Sequence, residues 1–166
     1  MEPDRTIRNV REIITYFRKL GLPVVTTRLE YSHGYGDGGL LVKQARIKET
    51  SGYIEGSEES KIVDEIRDVT HDSVDVRKTR YDAFCCTSIE RILRERQVSH
   101  LTFVGVLTNV CVESTLRSAF DRDFEVAIVA DATTTYSESV HRASLSNIGA
   151  HFGEVLHTEE FKDRGG

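Results

Sequence analysis

The chain has 166 residues, enough for one domain with a sizeable core, and it carries a formal net charge of −5. That balance, with no basic cluster denser than the interrupted Arg77-Lys78-Thr79-Arg80, argues against nucleic-acid and acidic-membrane partners. Three cysteines, two of them adjacent at Cys85 and Cys86, cannot make a disulfide framework and suit a reducing compartment, so with no signal-peptide or membrane-spanning pattern the expected location is cytoplasmic.

Ile7, Val10, Ile13, Ile14, Phe17 and Leu20 fall at helical spacing, which predicts an amphipathic helix over 6–20, capped by Asp4 or Thr6 and ended by Gly21 and Pro23. Leu22 to Thr27 reads as a short buried strand. The glycine-rich stretch Tyr31 to Gly39 reads as a loop, and no Gly-Lys-Ser/Thr ending makes it a phosphate cradle. His33 and Asp37 within it are either two metal ligands without a third or ordinary groups of a solvated loop. A helix is expected over 57–67 with Ile62, Val63 and Ile66 inward, then a strand from Ser73 to Arg77 with Lys78 at its end. Thr87-Ser88-Ile89-Glu90 has capping-box spacing and opens a helix carrying Ile89, Ile92 and Leu93. Phe124 to Ala130 reads as a strand ending at Asp131, Ser137 opens a helix to about Ala150, and Gly153 to Leu156 forms a last short strand. From Lys162 the tail is polar and expected to fray.

Between these lies the run Leu101-Thr-Phe-Val-Gly-Val-Leu-Thr-Asn-Val-Cys-Val-Glu-Ser-Thr115. Its first half is apolar, β-branched and too short for a helix, so it predicts a buried strand. From Val112 the pattern turns helical, with Val112, Leu116, Ala119 and Phe120 on one stripe. Cys111 is thereby placed where a strand hands over to a helix. The free N–H groups and dipole of a helix N-terminus favour an anion, which suits a nucleophilic thiolate and an oxyanion. The alternative is an inert packing cysteine. Glu113 in the first helical turn suits the dipole as a structural residue.

Alternating helices and buried strands predict an α/β sandwich of three layers with a mostly parallel sheet, as one domain over 1–166. Sites in such sheets lie beyond the carboxyl ends of the strands, where Lys78, Cys111 and Asp131 are all expected. Lys78 is either a surface lysine or a cation near the thiol. Cys85 and Cys86 read as packing residues, and His71, His100, His141, His151 and His157 as surface or capping groups.

Gly105-Val-Leu-Thr-Asn-Val-Cys-Val-Glu-Ser-Thr-Leu-Arg-Ser-Ala119 resembles the nucleophile segment of the isochorismatase-like cysteine hydrolases. Lys78-Thr-Arg-Tyr-Asp-Ala-Phe84 resembles that family's lysine motif, and Asp131-Ala-Thr133 its strand-end motif, which looks mainly structural. The resemblance implies Cys111 as nucleophile and Lys78 as catalytic cation. It also implies a cis Val106–Leu107 peptide that brings the Leu107 N–H beside that of Cys111 in an oxyanion hole. Tyr81 and Phe84 would line the substrate pocket with Asn109, unless the two aromatics are core residues. The Asp and His cluster of metal-binding relatives has no counterpart here, so neither a metal nor another cofactor is expected.

The family also begins with a central strand ending in an aspartate that serves as general base, in a sheet of order 3-2-1-4-5-6. Met1-Glu-Pro-Asp4 instead runs straight into what is that family's first helix, which makes Asp4 a poor substitute and leaves two strands without a neighbour. The motifs look most like the ureidoacrylate and biuret branch. The resemblance therefore implies a homo-oligomeric cysteine amidohydrolase acting on a small carbamoyl-type amide. The other expectation is a catalytically impaired homologue serving as a binding or oligomerisation module.

Overall fold

The computed structural model describes residues 3–45 and 47–163. Met1 and Glu2 of the opening stretch and the last three residues of the polar tail lie outside the described residues. Helix α1 spans Pro3–Lys19, because Val10, Ile13, Ile14 and Phe17 repeat at helical spacing and pack into one cluster. It starts earlier than its spacing predicts. Asp4 is an acidic residue of the first turn and Thr6 is buried, so neither is a cap. Gly21 closes the helix at φ +70, its N–H bonded to the Arg18 carbonyl at 3.0 Å.

Strand β1 spans Val25–Leu29 and β2 spans Val74–Lys78. They pair in parallel from Val25 opposite Val74 to Leu29 opposite Lys78. β1 begins three residues later than its composition suggests, since Leu22 is exposed and Pro23 has no N–H for a ladder. β3 (His100–Val106), β4 (Glu125–Thr134) and β5 (Glu154–Leu156) form a second parallel sheet in that order. β4 runs past its expected end at Asp131 for three more residues.

The segment between β1 and β2 is richer than a loop and one helix. It holds α2 (Gly39–Gln44), α3 (Ile47–Thr50), a 3-10 turn at Glu58–Ser60 and α4 (Asp64–Thr70). Tyr31, Leu41, Val42 and Ile47 make a small core of their own there. The helix expected over 57–67 is replaced by that turn and α4, which packs Ile66 and Val69 against α1 and leaves Val63 at 48% exposure. Helices α5 (Ile89–Glu95), α6 (Glu113–Phe120), α7 (Glu138–His151) and α8 (Thr158–Asp163) complete the order. α8 had no signal beyond a short polar stretch. Phe120 leaves the inward stripe of α6 and meets Phe152 edge-on at 5.5 Å.

Three layers result, as the alternation predicts. On one face Val25, Val74, Val76, Phe103, Val126 and Ile128 meet Ile89, Leu93, Leu116 and Ile148 of α5, α6 and α7. On the other, Val24, Val104 and Val129 meet α1, α4 and α8. The middle layer departs from a single sheet: two-stranded β1-β2 and three-stranded β3-β4-β5 share both helical layers without pairing to each other. Among the described residues no strand pairs with both β1 and β3. None of the seven residues of β3 is fully buried, whereas β4 buries Val126, Ile128, Val129 and Ala130. A parallel strand is ordinarily covered on both faces and both edges, so β3 carries an uncompensated edge. No described helix is long and apolar enough to cross a membrane.

Candidate active site

Cys111 sits in a π-helical turn, Thr108–Val112, between β3 and α6. Such turns recur at functional sites because they displace one residue out of the regular helical path. The turn is entered through a cis Val106–Leu107 peptide, and the Leu107 carbonyl accepts the N–H groups of Val110 and Val112 at 3.1 and 3.2 Å. Thr108 is wholly buried, its hydroxyl 2.9 Å from His141 Nδ1 on α7. Asn109 accepts the Thr135 hydroxyl at 2.6 Å, which ties the turn to the end of β4. Cys111 itself is half-buried and its thiol is free.

Lys78 closes β2 at only 4% exposure. Its Nζ donates to the Arg80 and Tyr81 carbonyls at 3.1 and 3.0 Å. Burying an ammonium without compensation is costly, and among the described residues no carboxylate pairs with it. Thr115 on α6 joins this lysine loop to the cysteine turn. Its Oγ1 donates to the Cys111 carbonyl at 2.7 Å, accepts the Ala83 N–H at 3.1 Å, and lies 3.3 Å from the same Tyr81 carbonyl that holds Lys78. Asp82 adds a second tie, accepting the Phe84 N–H at 2.8 Å and the Ser118 hydroxyl of α6 at 2.9 Å. The sequence placed Lys78 and Cys111 33 positions apart; the fold joins their loops through one hydroxyl.

Tyrosines surround this point. Burial pushes Tyr81 up from its ordinary value, and the neighbouring Cys111 and Tyr136 add to it. Tyr53 is raised by burial, then by Tyr136 and Cys111. Tyr31 is pushed up to about 12 by burial and by Tyr81, with Arg80 opposing. Its hydroxyl is buried without a hydrogen-bond partner among the described residues. Tyr31 and Tyr53 carried no sequence signal, because each lies outside both motifs and only the fold couples it to Cys111.

The model of the isochorismatase domain matches residues 1–160. The chain belongs to the isochorismatase family. Ureidoacrylate amidohydrolases RutB are among its relatives. The one from Caulobacter segnis is 32% identical over 172 residues, covering 95% of this chain and 72% of the relative. The one from Methylobacterium radiotolerans is 42% identical over 170 residues, covering 94% and 66%. Among solved structures, a cysteine hydrolase from Pseudomonas syringae pv. phaseolicola superposes with a TM-score of 0.90 at 24% identity, over 97% of this chain and 80% of that one. This isochorismatase-family chain is a hydrolase of the class acting on non-peptide C–N bonds.

Four sequence expectations need correction on this geometry. Phe84 does not line a pocket: it is buried in the core, 5.9 Å from the Phe124 ring, with the Arg122 guanidinium over its face. Asp131 is not at a strand end. It lies inside β4 and accepts the Thr158 N–H and hydroxyl at 2.9 and 2.8 Å, anchoring α8. His141 is no surface group, since burial lowers its pKa and its ring bonds the Thr108 hydroxyl and the Ala130 carbonyl. Cys86 is exposed and pairs with Cys85, so it is not a packing residue.

Asp37, read as a ligand or a loop group, accepts the Ser32 N–H and hydroxyl and the Arg77 guanidinium, closing its own turn. Among the described residues no three His, Cys, Asp or Glu side chains gather closely enough to hold a metal ion. Burial would raise Glu113, but Ser144, Arg117 and Asn147 hydrogen-bond it and hold it below its ordinary value. It thus locks α6, which carries the cysteine turn, onto α7.

Proposed function

We propose that the chain hydrolyses a small carbamoyl- or ureido-type amide through a thioester on Cys111. A base takes the thiol proton and the thiolate attacks the amide carbonyl. The Leu107 and Cys111 N–H groups and the Lys78 ammonium stabilise the tetrahedral oxyanion. Ammonia or an amine leaves, and water hydrolyses the thioester. The observation that carries this mechanism is the bridge from Lys78 through the Tyr81 carbonyl and Thr115 to Cys111. Tyr81 and Asn109 contribute to the substrate pocket, with Tyr53 added by the fold. The protein acts without nucleic acid, membrane or cofactor, as a cytoplasmic homo-oligomer. The ureidoacrylate amidohydrolase relatives support the substrate class.

A catalytically impaired binding module is the competing proposal, favoured by one observation: no described carboxylate stands beside Lys78 to serve as base. Ammonia release from ureidoacrylate, biuret, N-carbamoyl amino acids and nicotinamide, with Cys111→Ala as control, separates the two. Release from a carbamoyl compound that the control abolishes supports the hydrolase. Release from nicotinamide alone moves the substrate class, and no release from any compound by a folded chain supports the binding module.

A further inference from the structure

Cys85 and Cys86 take no part in the proposed reaction, yet their geometry is unusual for free thiols. Their Sγ atoms stand 3.8 Å apart. Cys86 adopts φ +59, a left-handed conformation that a cysteine seldom enters, and this turns it into solvent while Cys85 stays half-buried. Both lie in the irregular 79–88 stretch whose Tyr81 carbonyl holds Lys78 and whose Ala83 N–H is fixed by Thr115. We propose that Cys85 and Cys86 are a redox modification site, a vicinal dithiol that a hydroperoxide closes to a disulfide, resetting the loop that positions Lys78.

The chemistry balances with one peroxide. The exposed Cys86 thiolate attacks a peroxide oxygen, the O–O bond breaks, and an alcohol or water leaves with the Cys86 proton. Cys85 then attacks the resulting sulfenic sulfur, forming the S–S bond and expelling water. Two electrons pass from the two sulfurs to the peroxide. Adjacent Cα atoms are held about 3.8 Å apart by a trans peptide, below the usual ~4.4–6.8 Å of a disulfide. Drawing the sulfurs together to about 2.05 Å therefore has to twist the 85–86 backbone. A strained, exposed disulfide is also readily reduced, which makes the modification reversible.

The test uses the full chain carrying Cys111→Ser, so that neither the proposed nucleophile nor its activity enters the result. Hydrogen peroxide is expected to remove both remaining thiols together, with a mass decrease of two hydrogens mapped to the Cys85–Cys86 peptide and restored by dithiothreitol. Amide exchange at Ala83 should quicken several-fold in the closed form as its bond to Thr115 loosens. Adding Cys86→Gly, which keeps the left-handed turn, should abolish both effects. Oxygen addition to one thiol, a disulfide between two molecules, or closure with unchanged Ala83 exchange would each overturn the proposal.

Discussion

Phe84 and Tyr81 stand three residues apart in one motif and are expected to respond differently to truncation. Phe84→Ala leaves a hole between Phe124 and the α5–α6 core and should cost about 3–5 kcal/mol in urea unfolding. Tyr81→Ala removes a ring already 39% exposed and should leave the unfolding midpoint nearly unchanged while raising KM for the proposed carbamoyl substrate. Thr115 offers a finer test. Thr115→Val strands the buried Ala83 N–H and should destabilise by about 1–3 kcal/mol. If the hydroxyl also sets Lys78 against Cys111, kcat falls further than stability explains. Thr115→Ser, which keeps the oxygen, should restore both.

At the scale of elements, His141 joins α7 to the cysteine turn and makes that junction sensitive to pH. Burial depresses its folded-state pKa below the ordinary 6.5. The folded protein therefore binds this proton less readily than the unfolded chain does. The corresponding stability is present above about pH 6.5 and is lost as pH falls below it towards the folded-state value. Urea midpoints measured between pH 7.5 and 5 should decline, and the decline should be shallower in His141→Gln. Equal slopes in the two proteins would remove His141 from this role.

The same junction shows what a linear sequence can and cannot display. β2, β3, α5, α6 and α7 were legible because their apolar spacing or caps are local, and Cys111 and Lys78 stood out as candidates because their motifs are contiguous. His141 was not, since its partner Thr108 is 33 residues away. Phe84 was ambiguous for a related reason: an aromatic next to the lysine motif looks the same whether it faces a pocket or Phe124. α2, α3 and α8 were hidden by their shortness, which leaves too few turns for a periodic pattern.

For the whole molecule, the decisive feature is the interrupted middle layer. Among the described residues β1 pairs only with β2 and β3 only with β4, between two shared helical layers. Fusing an apolar, β-branched strand of about five or six residues ahead of Pro3, through a linker long enough to reach, should pair both edges. Covering side chains such as Phe103 and Val104 at about 1.5–3 kcal/mol each should raise the unfolding midpoint substantially. A strand ending in aspartate should also raise turnover, because a positioned base is worth about 10²–10⁴-fold in rate. The same strand ending in asparagine should recover the stability alone. Turnover by the chain without the added strand equal to that of the extended form would mean that the base lies within these residues.

The proposal that Cys111 is the nucleophile is tested most directly by competition among the three cysteines, which needs no substrate. The Cys85 thiol is pushed up by its hydrogen bond with Cys86 and by burial, which weakens it as a nucleophile near neutral pH, whereas the free Cys111 thiol sits in the turn that Thr115 ties to the lysine loop. Limiting iodoacetamide near neutral pH, with the modified peptides mapped by mass, should therefore label Cys111 first, and Lys78→Met should slow that labelling while leaving Cys85 and Cys86 unaffected. Labelling of Cys85 or Cys86 ahead of Cys111 would contradict the assignment.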